Sequence, residues 1–203
     1  LKKVLTEKYT FEEGNIEVIR NPTGDEILTA FEKISEKLTE NDNLLIFYAG
    51  HGKFDQKRDA GYWVPRNASW VKPTTWLSNS TIVEQIRGIG SKHTLLISDA
   101  CYSGSILMSG GESRAIRNNA NMNIANNMKR QSRKAMTSGA MTEVPGKSDF
   151  MKFLIRELDE NEERFLSAED LYITIKPAIM SGDSGTEPKF GAIKSAKRSE
   201  EHT

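Results

Sequence analysis

The sequence predicts an α/β domain built around a mainly parallel sheet. Two continuous apolar runs of strand length, Leu44–Tyr48 and Thr94–Ser98, have the pattern of strands buried on both faces. Segments between and after them carry apolar residues at helical spacing, so strands alternate with helices. Each run also ends in a turn of small residues, one holding His51 and the other Cys101, the only cysteine.

Taken in order, Asn15–Arg20 alternates polar and apolar residues and reads as a short strand. Asn21-Pro22-Thr23-Gly24 is a turn in which Thr23 is placed to cap a helix. Ile27, Leu28, Ala30, Phe31, Ile34 and Leu38 then recur at helical spacing, and Asn41-Asp42-Asn43 stops the helix. Leu44–Tyr48 follows and runs into Ala49-Gly50-His51-Gly52. Residues 53–60 are polar and read as a loop, and Gly61–Pro65 reads as an edge strand or hairpin arm. Ser78 is placed to cap a helix over 79–89. Thr94–Ser98 runs into Asp99-Ala100-Cys101-Tyr102-Ser103-Gly104.

Residues 110–134 carry Arg114, Arg117, Lys129, Arg130, Arg133 and Lys134 against one acid, Glu112. They read as an exposed basic loop with a helical turn or two near Ile124–Met128. Ala135–Gly139 reads as another strand end. Ser148 and Ser167 are placed to cap helices over 149–159 and 168–180. Pro177 lies inside the second and is expected to kink or shorten it.

At 203 residues the chain fits one domain, 1–203, able to bury a core without disulfides or metals. Lys+Arg and Asp+Glu balance at 28 each, so no global field favours nucleic acid or an anionic membrane. No apolar run reaches the roughly 18 residues of a membrane span, and no apolar signal core follows Leu1-Lys2-Lys3. A single cysteine suits a reducing compartment. The expectation is a cytoplasmic protein with neither nucleic acid nor membrane as partner.

The two turns carry the chemistry. Functional groups of parallel α/β sheets gather at the carboxyl ends of strands. If the two runs are neighbours, an imidazole and a thiol face one crevice. A thiol of pKa about 8.5 is mostly protonated at neutral pH, and a histidine can activate it and later protonate a leaving amine. The N–H groups of Gly52 and Cys101 could then converge as an oxyanion hole. A lone cysteine is more often a small buried apolar residue. Here both residues end strands in glycine-containing turns, which favours chemistry. His93, at a strand start, and His202, in a polar tail, are weaker candidates for the base.

Tyr48-Ala49-Gly50-His51-Gly52 and Asp99-Ala100-Cys101-Tyr102-Ser103-Gly104 resemble the histidine and cysteine motifs of caspase-like peptidases. They are most similar to those of metacaspases and their prokaryotic relatives. A His about 50 residues before the Cys is itself a recorded caspase signature. The resemblance extends to about Ile193. It implies a caspase–haemoglobinase fold, a three-layer α/β/α sandwich, with catalytic His51 and Cys101 and a thioester intermediate. It further implies an endopeptidase acting on protein substrates. Asp99 stands where animal caspases usually carry Gln and where metacaspases carry the acid that lines a pocket for Arg or Lys. A carboxylate there pairs with a cation and repels an acidic side chain; the alternative is a turn or helix cap. Ser138 is placed in the same substrate pocket by analogy.

The chain departs from the family pattern in places. The family's first strand, and a pocket acid after it, would precede residue 1, and a final strand would follow Ile193. Tyr102 stands where many metacaspases have His. The calcium-binding acid corresponds to Met108, which argues against calcium activation; no cofactor or metal is expected. Asp55 and Asp59 read as solvated loop charges rather than another calcium site. Cleavage within 110–134 is expected to accompany maturation, as in relatives. The competing reading is a latent or inactive caspase-fold module that regulates or scaffolds, and a regulatory domain or activating partner is compatible with both. Trp63, Trp70 and Trp76 lie between the motifs and are read as packing a satellite core, the alternative being a substrate-binding wall.

Overall fold

The computed structural model describes residues 1–107, 130–139, 148–182 and 186–193. Helix α1 (Lys2–Lys8) opens the chain and a short 3-10 turn follows at Glu13–Asn15. Helix α2 (Gly24–Lys37) begins at Thr23, whose hydroxyl accepts from Glu26 N while the Glu26 carboxylate accepts from Thr23 N. This capping box satisfies two donors the helix start would leave bare. Strand β1 (Asn43–Ala49) is followed directly by a hairpin, β2 (His51–Asp55) and β3 (Ala60–Val64), with a short β4 (Leu77–Ser78) pairing back to β3. Helix α3 (Asn79–Gly88), β5 (His93–Asp99), a 3-10 turn at Ser103–Ile106 and β6 (Ser132–Thr137) come next. Helices α4 (Asp149–Glu160) and α5 (Ala168–Met180) precede β7 (Lys189–Ala192). Ser78, Ser148 and Ser167 cap α3, α4 and α5.

The main sheet has the order β1-β5-β6-β7, with β1, β5 and β6 parallel and β7 antiparallel. Alternation along its strands divides the core in two. Leu96 and Ala135 face one way, with Ile27 and Phe31 of α2 and Ile82 and Ile86 of α3. Ile97 and Met136 face the other, with Val4 of α1, Phe150 and Leu154 of α4, and Leu171 and Ile175 of α5. The result is a mainly parallel sheet, as the strand pattern predicts, in the three-layer α/β/α sandwich that the resemblance implies.

Several elements differ from expectation. Residues 16–20 belong to no strand; their alternation finds no ladder among the described residues, and Val18 and Ile19 are exposed. They flank a groove of about 540 Å³ along the outer edge of β1, lined in part by Ile19, Ile34, Leu45 and Tyr48. Among the described residues no strand pairs with that edge. Residues 51–55 form β2 rather than a loop, because the hairpin hydrogen bonds hold a polar sequence extended. Helix α1 was not anticipated, although Leu1, Val4 and Leu5 have helical spacing. Pro177 does not shorten α5, which runs on to Met180.

The basic segment also ends earlier than expected. Arg133 and Lys134 belong to β6, and the Arg133 guanidinium donates to the carbonyls of Ile86 and Ile89 at the end of α3. The expected turn at 124–128 and most of the basic loop lie outside the described residues, as does any strand beyond Ile193. Among the described residues, no helix is long and apolar enough to cross a membrane.

Candidate active site

Parallel pairing of β1 with β5 sets Ala49 opposite Asp99, so both strands release their chains at one end of the sheet. Gly50 N donates to the Asp99 carbonyl at 3.3 Å and ties the two exits together. Beyond Gly50 the chain reverses into β2, whose first residue is the exposed His51. The next residue reaches the cysteine turn. A methyl group at Gly52 would fall 2.0 Å from the Cys101 carbonyl oxygen and 3.2 Å from its nitrogen. Only a residue without a Cβ permits this approach. The histidine and cysteine turns are therefore in direct contact.

Both turns are braced. On the histidine side, the Tyr48 hydroxyl donates to the His51 carbonyl at 3.0 Å. Tyr48 stacks flat on the buried Trp63, with ring centres 3.7 Å apart. Burial pushes its phenol above the ordinary value, so it stays protonated and remains a donor. On the cysteine side, Cys101 is half-buried and followed by Tyr102 in the left-handed region, at φ 58° and ψ 19°. A tyrosine there is strained by about 1–3 kcal/mol and needs surroundings that hold it.

Asn79, 4% exposed at the start of α3, supplies that hold. Its amide donates to the Tyr102 carbonyl at 3.2 Å and to the Ser105 hydroxyl at 2.7 Å. Ser103 donates to the Ala100 carbonyl at 2.8 Å, and Phe54 of β2 stacks on Tyr102. Gly61 leaves room on the other side, since a Cβ there would meet Asn79 and the Tyr102 carbonyl at 2.5 and 2.6 Å.

Beside this contact lies a patch of buried oxygen atoms. Ser138 N donates to the Ser98 carbonyl at 3.0 Å, which continues the β5–β6 ladder and sets Ser138 next to Asp99. Alternation puts both side chains on the same side of the sheet as Ile97 and Met136. Asp99 is 8% exposed and Ser138 fully buried. Asp99 Oδ1 and Ser138 Oγ have no hydrogen-bond partner among the described residues; nor do Ser98 Oγ and Thr137 Oγ1, which alternation puts on the opposite side of the sheet. Buried oxygens without partners are costly, and those of Asp99 and Ser138 share one side of the sheet end.

The structure thus brings Gly52, Cys101, Asp99 and Ser138 to one sheet end, with His51 beginning the strand that contacts the cysteine turn. Asp55 and Asp59 lie away from it, in the β2–β3 turn. Asp55 accepts from the backbone of Lys57 and Arg58 and from the Arg58 guanidinium, which hold its carboxyl below the usual range. Among the described residues no three His, Cys, Asp or Glu side chains gather as a metal site.

Sequence reasoning missed Asn79, whose only signal is a polar residue on the buried face of an amphipathic helix. Trp70 does not pack a satellite core with the other two tryptophans, and its place beside His51 agrees with the alternative of a wall. Trp63 packs in the main core, but Trp70 is 53% exposed, and its ring meets the His51 ring at 5.1 Å.

A family model described as the caspase domain matches residues 1–177. The chain belongs to the caspase-domain family. The match spans both turns and strands β1, β5 and β6, while β7 lies beyond it, and the family is one of cysteine peptidases. No curated protein sequence matches it. Among solved structures, protein GSU0716 from Geobacter sulfurreducens is similar, with a TM-score of 0.52 and 14% identity. The similarity covers 86% of this chain and 74% of that one. At that identity it speaks for the fold of this caspase domain and for nothing finer.

Proposed function

We propose that this caspase domain is a cysteine endopeptidase that cleaves proteins after Arg or Lys. The observation that carries the reading is the contact of the Gly52 and Cys101 backbones beside the buried, donor-less Asp99 and Ser138 oxygens. In the proposed reaction His51 takes the proton of Cys101 Sγ as the sulfur attacks the scissile carbonyl carbon. The resulting oxyanion accepts from the N–H groups of Gly52 and Cys101, where each donor contributes about 2.7–4 kcal/mol in comparable sites. The C–N bond then breaks, His51 protonates the departing amine, and a thioester remains. Water, deprotonated by His51, hydrolyses it to a carboxylic acid and restores the thiol.

Asp99 and Ser138 receive the cationic side chain before the scissile bond. A guanidinium there gives the carboxylate a charge-assisted partner, whereas an Asp side chain sets two carboxylates together. The chemistry calls on the thiol and imidazole, with no cofactor invoked, and a single, half-buried thiol suits a reducing, cytoplasmic setting. Cleavage of the chain within the basic segment is part of the proposal, with Arg130, exposed before β6, the last basic residue outside the sheet.

A panel of fluorogenic peptides tests the reading. Turnover after Arg and Lys, lost in Cys101→Ala, is the expected result. Turnover after Asp with none after Arg would reject the role of Asp99. If Cys101 in the full-length protein fails to react with an Arg-terminated peptidyl electrophile, the scaffold reading is the better one.

A further inference from the structure

The three tryptophans between the motifs have separate fates. Trp63 is 2% exposed in the core, and Trp76 lays its ring edge-on against the buried Tyr62, 5.6 Å away. Trp70 and its neighbour Val71 do neither; they are 53% and 83% exposed. Two adjacent apolar side chains in solvent need little comment on a loose loop, but this one is stapled. Ser69 N donates to Thr75 Oγ1 at 2.9 Å, and Thr75 Oγ1 donates to the Lys72 carbonyl at 2.8 Å. Trp76 Nε1 donates to the Ser69 carbonyl at 2.6 Å, anchoring the base of the loop to the packed ring of Trp76. The loop therefore presents Trp70 and Val71 on a fixed mount.

The mount faces the reacting centre. The Trp70 ring meets the His51 ring nearly edge-on, at 5.1 Å and 66°. Lys53 of β2 sets its ammonium over the face of the same indole, 4.8 Å from its centre. His51 must reach the nitrogen that leaves, so the peptide beyond the scissile bond passes on the imidazole side of the cysteine. The residue before that bond turns the other way, toward Asp99 and Ser138. The indole set against the imidazole, with the exposed isopropyl group of the next residue, thus borders the first residue of the departing product.

We infer that Trp70 and Val71 form a subsite selecting an apolar side chain in the residue that directly follows the scissile bond. This rests on the peptidase reading of the same site and adds a second determinant of specificity on the opposite side of the bond from Asp99. Burying one apolar side chain against such a wall corresponds to a preference of roughly tenfold to a hundredfold in kcat/KM over glycine.

Internally quenched peptides with a fixed Arg, followed by Phe, Leu, Gly or Asp, test the inference on the full-length protein. The native protein should favour Phe and Leu over Gly by at least tenfold. Trp70→Ala should shrink that ratio to about twofold, and Trp70→Phe should retain most of it. Val71→Asp, at a site exposed enough to leave folding intact, should lower the Phe and Leu rates and raise no other. An unchanged ratio in Trp70→Ala overturns the inference. So does an equal loss for all four peptides, because Trp70 would then act only by positioning His51. Reaction of the native protein with the Arg-terminated electrophile is measured alongside: if it labels Cys101 while the peptides show no preference, only the subsite is wrong. If it does not label, the peptidase reading fails and the subsite with it.

Discussion

Replacing Gly52 by alanine probes the contact on which the site depends. The added methyl would sit 2.0 Å from the Cys101 carbonyl oxygen, 2.9 Å from its carbon and 3.2 Å from its nitrogen. A carbon rarely approaches a carbonyl oxygen closer than about 3.3 Å. One turn must therefore retreat from the other by about 1.3 Å, the difference between that limit and 2.0 Å. Neither retreats freely: Tyr48 holds the His51 carbonyl, and Asn79 holds Tyr102. A displacement of about 1 Å at a reacting centre costs on the order of a hundredfold in rate. That equals about 2.7 kcal/mol of transition-state stabilisation, and overpacking adds about 1–3 kcal/mol of lost stability. The assay compares kcat/KM on an Arg peptide and the melting temperature of Gly52→Ala with those of the native protein. An alanine variant as active and as stable as the native protein would falsify the contact, and with it the argument that the two turns act together.

Three further outcomes are expected. Asp99→Asn keeps the shape of the pocket but removes its charge, and should cut kcat/KM for Arg peptides by roughly a hundredfold or more; equal turnover on Arg peptides would show that Asp99 does not bind the cation. Asn79→Ala removes the shorter of two side-chain hydrogen bonds to the strained Tyr102 carbonyl, leaving that of Ser105 at 3.4 Å, and should lower stability by about 1–3 kcal/mol, with a fall in kcat larger than any change in KM; denaturant melts and steady-state kinetics check the pair. Thr23→Ala removes the cap of α2, outside the histidine and cysteine turns, and should cost about 1 kcal/mol with activity intact. The Thr23 N–H holds the Glu26 carboxyl below the usual range, so the capping box contributes above the ordinary carboxylate pKa and is lost as pH falls through the depressed value. Alanine keeps that N–H, so it is the melting curves of the native and Glu26→Gln proteins that should converge in acid.

What could be read from the residues divides by range. The strands over 43–49 and 93–99 were visible because a strand buried on both faces must be apolar throughout, whatever its neighbours. The caps Thr23, Ser78, Ser148 and Ser167 were visible because capping is settled within about one helical turn. The sequence over 15–20 misled because alternation states only that a segment could lie on a sheet, and no ladder receives it among the described residues. The polar strand over 51–55 was hidden for the converse reason, since its extension comes from bonds to residues 60–64.

The site divides in the same way. The residue types and their strand-end turns single out His51 and Cys101, because nucleophile and base chemistry depends on what those side chains are. That Gly52 touches Cys101, that Asn79 restrains Tyr102 and that Trp70 meets His51 are facts about segments distant in the chain. Only the parallel register of β1 with β5 and the fold-back of the hairpin bring them together. Local sequence determines which groups can react, through their own bonding and propensity. Which groups meet is decided by packing across the whole sheet, where each contact depends on every strand having found its neighbour.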